Sequence, residues 1–95
     1  MKLIISQAAL ADLVRLRAFL ESKNPRAAER AVATLTAAVQ SLDHFPERGR
    51  PSGAGNLREL IVPFGQSNYV IRYAYRAETD EIIVIRLWHG REVRE

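Results

Sequence analysis

The residues of this chain with the clearest chemical potential are a histidine and the arginine close to it. His89 ends a β-branched run and is followed by Gly90 and Arg91. An imidazole that titrates near neutrality beside a guanidinium could do acid–base chemistry on phosphate esters. A strand-end histidine that only hydrogen-bonds the backbone is the alternative, and we favour it.

The sequence gives little support to metal, thiol or cofactor chemistry. Because the chain has no cysteine, a metal site would need His44 and His89, which are far apart in the sequence, together with carboxylates from elsewhere. Gly49, Gly53 and Gly55 are not followed by Lys-Ser or Lys-Thr and form no GxGxxG motif, so they predict turns. We therefore expect neither a metal nor a cofactor.

Arginine dominates the charge of the chain. Its 95 residues include 14 Lys and Arg against 11 Asp and Glu, a formal net charge of +3. Since arginine binds carboxylates and phosphates in a fixed fork, we expect an acidic partner. The sequence has no cysteine, no signal peptide and no apolar run near the ~20 residues of a spanning helix. We expect a cytoplasmic protein that does not contact a membrane.

Two amphipathic helices are predicted to lie between a first strand and a long loop. In the first helix, Ala9, Leu13 and Leu16 recur on one side, while Asp12 and Arg15 fall on the other. A Ser before this helix and an Asn-Pro pair before the second are typical helix starts. The two helices should therefore form a hairpin.

Four strands complete the predicted α+β domain, which spans residues 1–95 in the order β-α-α-β-β-β. The simplest topology is a four-stranded antiparallel sheet with its strands in sequence order and the helical hairpin packed on one face. A loop from Phe45 to Asn56, rich in residues that break regular structure, precedes the second strand. The strands are predicted at Lys2 to Ile5, Leu57 to Val62, Asn68 to Tyr75 and Glu81 to His89.

Alternation along the strands predicts two sheet faces of different composition. In one strand Tyr69, Ile71, Tyr73 and Tyr75 share an uncharged face, and the last strand supplies Ile83, Ile85 and Leu87 to it. The other face carries an arginine in mid-strand each time. If the helices cover the uncharged face, the open face combines cations with an aromatic ring and suits binding. The predicted residues of this face are Arg58, Arg72, Arg86 and Trp88.

Two other interpretations of the arginines stay open. Each strand arginine could lie at a sheet edge, with its stem packed and its guanidinium in water. In the long loop, Arg48 and Arg50 could contact phosphates or the carboxylates of a partner, although exposed charges in loops are usually only solvated.

The order of these elements, together with four short motifs, resembles the RelE/ParE toxin superfamily over nearly the whole chain. The resemblance implies the toxin half of a bacterial type II toxin-antitoxin module, held inactive by a ParD-like or similar antitoxin that wraps the toxin. An acidic wrapping segment would match the arginines, and operator DNA would be bound only through the antitoxin. The motifs are Phe45-Pro46 with Gly49-Arg50-Pro51, Leu57-Arg58-Glu59-Leu60, Tyr69-Val70-Ile71-Arg72-Tyr73, and Arg86-Leu87-Trp88-His89-Gly90-Arg91.

RelE-like members of this superfamily are ribosome-dependent mRNA endonucleases that need no metal. Arg58 and Arg91 fall where those members keep basic residues, and His89 matches a histidine that some relatives use at the end of the last strand. Val70 stands where these nucleases tend to have an arginine, and the sequence reaches Glu95 without their tail tyrosine. The resemblance thus implies Arg58, His89 and Arg91 as the catalytic residues of a nuclease alternative.

ParE-like members are described as inhibitors of DNA gyrase, and the helical hairpin, the Pro-Gly loop and the His-Gly-Arg ending are more similar to them. The implied mechanism is binding to gyrase so that its cleaved DNA complex persists, which needs a surface and no catalytic group. We therefore expect a ParE-type toxin without catalytic residues; a toxin fold that serves only as a binding module is a third interpretation. The expected contacts with antitoxin or target are Arg48, Arg50, Arg58, Arg72, Arg86, Trp88 and Arg91.

Overall fold

Two helices and five strands make up the part of the chain that the structure, a computed structural model, describes, namely residues 1–53 and 55–92. Ala54 of the predicted loop and the last three residues, including Glu95, lie outside the described residues. The elements are β1 (Lys2–Ile5), α1 (Gln7–Glu21), α2 (Pro25–Ser41), β2 (Arg50–Pro51), β3 (Leu57–Phe64), β4 (Ser67–Arg76) and β5 (Glu81–His89).

The five strands form one mixed sheet in the order β1-β5-β4-β3-β2. β1 runs parallel to β5, and all other neighbours are antiparallel. The predicted α+β class with a helical hairpin is confirmed, whereas the four-stranded antiparallel sheet in sequence order is wrong. β1 lies beside β5 because the unbroken apolar run from Ile82 to Ile85 suits a strand with a neighbour on each side, one of them parallel. The two-residue β2 adds a fifth strand inside the predicted loop.

The helix starts are capped as the sequence predicts. The Ser6 hydroxyl accepts the Ala9 N–H at 3.0 Å and donates to the Ile85 carbonyl at 2.9 Å, so the cap also ties α1 to β5. At α2, the Asn24 side chain accepts two backbone N–H groups at 3.1 and 3.2 Å, and proline follows at the first helical position.

The core lies between the helical hairpin and one face of the sheet. α1 packs on β5, at the β1 edge, and α2 packs on β3, nearer the other edge. Because the two helices cover only one face, the residues of the opposite sheet face do not join the core cluster. Its largest fully buried side chains are Leu35, Leu42, Ile71, Tyr73, Ile82 and Val84.

A β-bulge in β5 changes which residues face the helices. Tyr73 of β4 pairs with Val84, whereas Arg72 of β4 pairs with Arg86. Ile85 is therefore the extra residue of the bulge. Because a shift of one residue exchanges the two faces, Val84 is buried in the core while Ile83 pairs with a residue on the opposite face. The predicted places of Ile83 and Ile85 on the helix-covered face are therefore wrong, while that of Leu87 is confirmed.

The buried carboxylate of Asp12 joins α1 to β5. The contact lies on the part of the β5 edge that follows the segment paired with β1. The carboxylate accepts the Leu87 N–H at 2.9 Å and two guanidinium N–H groups of Arg86 at 2.8 and 3.0 Å, and Arg15 lies 3.4 Å away. Burial alone would raise the pKa of Asp12, but the hydrogen bonds from Arg86 and Leu87, together with the charge of Arg86, outweigh it and lower the pKa.

Replacing this carboxylate should destabilise the fold in a pH-dependent way. We expect Asp12→Asn to lower the free energy of unfolding at pH 7 by about 2 kcal/mol, because hydrogen bonds to a buried charge are lost. A carboxyl with a lowered pKa stabilises the fold above its unfolded-state pKa of about 3.9, and this stabilisation is lost as the pH falls through the folded-state value. Urea denaturation at a series of pH values measures both effects.

The exposed Asp43 offers a matched control. Asp43→Asn should change the free energy of unfolding by less than about 0.5 kcal/mol at any of these pH values. An Asp12→Asn protein as stable as the wild type at pH 7 would show that the Asp12 network does not hold α1 on the sheet.

Candidate functional site

Arg58 lies on the helix side of the sheet and not on the predicted arginine face. The register pairs Glu59 with Arg72, and since side chains alternate along β3, Arg58 points to the other face, where it pairs with Tyr73. Its guanidinium donates to the carbonyls of Glu47 at 3.1 Å and Gly49 at 2.7 Å. Arg58 therefore holds the chain segment that precedes the sheet.

Arg72 is the centre of a cluster on the open face of the sheet. It donates twice to the Glu59 carboxylate, at 3.1 and 2.8 Å, and its guanidinium lies 4.9 Å from the centre of the Trp88 ring. Trp88 is buried. The charge of Arg72 is thus neutralised within the molecule, and its cation–π contact covers the indole.

Arg86 is paired with Arg72 in the sheet register, but its guanidinium reaches Asp12 on α1. This ion pair raises the pKa of Arg86, because Asp12 hydrogen-bonds the charged form and attracts it. The open face therefore does not present the row of partner-free cations that alternation predicted. Instead, each of the three strand arginines bonds to a carboxylate or carbonyl of the same chain.

His89 and Arg91 lie at the end of β5, next to a cleft under α1. The His89 ring meets Tyr69 edge-on at 5.4 Å, and its Nδ1 atom accepts the Arg91 N–H at 3.2 Å. Glu92, which follows Arg91, forms an ion pair with Arg15 of α1 at 2.6 Å. Burial, with a smaller effect of the Glu92 charge, raises the pKa of the Tyr69 phenol. The cleft has a volume of about 450 Å³, and its apolar lining is Leu16, Phe19, Leu20 and Phe64.

The three residues of the nuclease alternative do not meet. Arg58 pairs with Tyr73 and His89 pairs with Tyr69, four residues apart on the strand between them. Strand geometry then separates the Cα atoms of Arg58 and His89 by about 16 Å. Only His89 and Arg91 are neighbours. Across residues 1–53 and 55–92, no three His, Cys, Asp or Glu side chains are placed to hold a metal ion.

A turn from His44 to Arg50 precedes the sheet, and we call it the Phe45 turn. The hydroxyl of buried Tyr73 donates to the Pro46 carbonyl at 2.8 Å and accepts the Gly49 N–H at 2.8 Å. Burial raises the pKa of Tyr73, so the phenol stays protonated and can keep donating. The sequence analysis singled out Arg48 and Arg50 here but missed the aromatic ring, although the Phe45-Pro46 pair stands among residues typical of turns.

The outer side of α1 carries large apolar side chains. Leu10 and Val14 are 48% and 67% exposed, whereas Phe19, 62% exposed, lies on the flank of α1 that borders the cleft beside His89. Beside Leu10, a smaller apolar cleft of about 170 Å³ opens between α1, α2 and β1. A surface helix usually turns polar residues outwards, so this apolar side is the kind of surface that a partner covers. The sequence analysis recognised only the inner apolar side of this helix.

Comparisons with known proteins agree with this architecture. Residues 3–94 match the family described as the ParE toxin of the type II toxin-antitoxin system, parDE. The chain is 45% identical over 91 residues to Toxin RelE1 of Caulobacter vibrioides, covering 96% of this chain and 95% of that protein. It is 35% identical over 83 residues to Toxin RelE3 of the same organism, covering 87% of each.

A solved structure described as the chromosomal ParDE TA system from P. aeruginosa has the same fold. It superposes with a TM-score of 0.76 at 23% sequence identity and covers 94% of this chain and 95% of its own. The predicted resemblance to the RelE/ParE superfamily is confirmed, because the family match spans almost every element of the sheet and both helices. The chain belongs to the ParE toxin family and is a toxin of the type II toxin-antitoxin class.

Proposed function

We propose that this toxin acts by binding DNA gyrase, so that the cleaved DNA complex persists, and that a cognate antitoxin neutralises it. The observation that carries the proposal is the separation of Arg58 from His89, with Arg58 bound to backbone carbonyls. An inhibitor of this kind needs a surface and no reacting group. Since gyrase and its DNA are cytoplasmic, the proposal puts the toxin in the cytoplasm and leaves operator binding to the antitoxin.

Cleavage of mRNA is the second candidate, and the same geometry weakens it. A ribonuclease must bring a base, an acid and a charge-stabilising cation to one phosphodiester, within hydrogen-bond distance of the reacting atoms. The Cα atoms of Arg58 and His89 are about 16 Å apart by strand geometry, and the Arg58 guanidinium is bound to the carbonyls of Glu47 and Gly49. Two observations favour the nuclease. His89 and Arg91 lie together at the mouth of the cleft, and the similar proteins include ones named RelE. His89 and Arg91 provide an imidazole and a guanidinium, whereas Arg58, the third residue that the resemblance implies, is bound to the carbonyls of Glu47 and Gly49.

Gyrase inhibition can be measured directly. With purified gyrase, plasmid and ATP, titration of the toxin should abolish supercoiling and accumulate cleaved DNA. His89→Gln should inhibit equally, because no acid–base step is involved, and its melting temperature shows whether the variant is folded. The antitoxin should reverse the inhibition.

The competing outcomes are distinct. No inhibition at excess wild-type toxin, together with mRNA cleavage in a translation extract that His89→Gln abolishes, would replace gyrase inhibition by the nuclease mechanism. Neither activity in a folded protein would leave the toxin fold as a binding module alone.

For the antitoxin, we propose contact with the outer side of α1. Its exposed apolar residues and the cleft beside them fit the apolar side of an amphipathic helix. Lys23 lies over the Phe19 ring at the end of α1, and Arg17 is paired with Glu21, so the contact with the partner would be mainly apolar. The strand arginines are less suited to the antitoxin, because each would have to give up an internal partner.

A charge on the apolar side of α1 should weaken antitoxin binding. We expect Val14→Glu to raise the dissociation constant at least about tenfold, because a carboxylate must be desolvated at an apolar contact. Ala33→Glu adds the same charge on the exposed side of α2 and should change it less than about twofold. Calorimetric titration with the purified antitoxin measures both. Equal affinities for Val14→Glu and the wild type would exclude α1 as the antitoxin contact.

A further inference from the structure

Hydrogen bonds from the sheet fix the backbone of the Phe45 turn, whereas the outer side of the turn is exposed to solvent. Tyr73 and Arg58 together hold the carbonyls of Pro46, Glu47 and Gly49 and the Gly49 N–H. Both anchors stand on adjacent central strands of the sheet.

Gly49 allows the turn to approach the sheet this closely. A Cβ atom at this position would lie 2.8 Å from both the ring and the hydroxyl of Tyr73, closer than real contacts allow. The turn also closes on itself, since the Arg48 N–H donates to the Phe45 carbonyl at 3.0 Å and its guanidinium donates to the Ser41 hydroxyl at 2.7 Å. The backbone conformation is therefore set before any partner arrives.

Most side chains of the turn are exposed to solvent. Phe45 is 66% exposed, the highest value among exposed phenylalanines of the described chain, and the side chains of His44 and Arg48 are exposed around it. The exposed Arg50 lies farther along, in β2, on the sheet face that it shares with Glu59. A shallow hollow of about 690 Å³ lies beside the Phe45 ring. The only carboxylate of the turn, that of Glu47, is 3.7 Å from Arg58, which offsets its charge. The outer surface is thus an aromatic ring with cations at its margin.

We infer that the Phe45 turn is the surface through which the toxin contacts its target protein, at an apolar pocket bordered by carboxylates. This inference rests on the proposed function, in which the toxin acts by binding. A pre-organised aromatic anchor loses little conformational entropy on binding, and arginines at its edge select an acidic rim. Such anchors carry most of the binding energy of an interface.

The position of the turn separates it from the surface proposed for the antitoxin. α1 packs at the β1–β5 edge of the sheet, whereas the turn leads into β2 at the opposite edge. DNA is a weaker candidate than an acidic protein surface, because a net charge of +3 gives little electrostatic attraction to phosphates. An aromatic ring at the centre of the surface, with cations only at its edge, fits a pocket on a protein better than a phosphate backbone.

The test compares Phe45→Ala and Arg48→Glu with controls of the same chemistry elsewhere. Ile61→Ala shortens an exposed apolar side chain on the open sheet face, and Arg76→Glu reverses an exposed charge at the end of β4. Growth arrest on induction reports toxicity whatever the target is. Binding to gyrase without DNA, supercoiling and antitoxin affinity are measured on the purified proteins, whose melting temperatures should agree because all four changed residues are exposed.

We expect both turn variants to lose growth arrest and to need at least about tenfold more protein for half-inhibition of supercoiling and for binding gyrase without DNA. The two controls should behave as the wild type, and Phe45→Ala should bind the antitoxin within twofold of it.

Three results would overturn the inference. Growth arrest by Phe45→Ala at the wild-type level would show that the turn is not a target contact. A parallel loss of antitoxin affinity would assign the turn to the antitoxin, and weaker binding only when DNA is present would assign it to nucleic acid. If the wild type arrests growth without inhibiting gyrase, the proposed gyrase target fails, and the growth arrest of Phe45→Ala still decides whether the turn contacts the true target.

Discussion

The buried carboxylate of Asp12 determines how the two layers of this protein fit together. β1 stops pairing where α1 begins, so the edge of β5 beyond Val84 would face the helix with an unpaired backbone. Asp12 takes the Leu87 N–H and draws the Arg86 guanidinium towards α1. A buried charge is tolerated because, among the described residues, no buried side-chain polar atom lacks a hydrogen-bond partner. The bulge at Ile85, which brings Leu87 into the core, lies directly before this contact.

Arg58 and Arg72 are likewise bound within the molecule, which limits the surfaces that remain for function. Arg72 is bound by Glu59 and stacked on Trp88, and Arg58 is bound by the carbonyls of the Phe45 turn. A guanidinium with a good internal partner contributes to binding only after that partner is displaced, which costs free energy. The surfaces that meet a partner at little cost are therefore the apolar side of α1 and the outer side of the Phe45 turn.

Local sequence signals predicted the helices and the four longer strands well. The predictions failed where contacts between distant parts of the chain determine the structure. Ser6 and the Asn24-Pro25 pair marked both helix starts, and the end of the last strand at His89 was located correctly. The position of β1 and the bulge at Ile85 depend on pairing across the whole chain, which alternation within one strand does not encode. Helical periodicity put Asp12 among the polar residues, but its partners come from β5, more than seventy residues away.

The apolar side of α1 and the outer side of the Phe45 turn lie at opposite edges of the sheet. This arrangement affects how an antitoxin can neutralise such a toxin. If a reaction centre were essential, an antitoxin would need to block that centre. When toxicity depends on a rigid anchor that fits a pocket, a partner covering α1 can act by adding bulk that keeps the target from seating on the turn. The stiffness that Tyr73 gives the Phe45 turn would then serve affinity for the target, and the apolar α1 would serve affinity for the antitoxin. Substitutions could alter either affinity with little effect on the other, because the two surfaces share no anchoring residue.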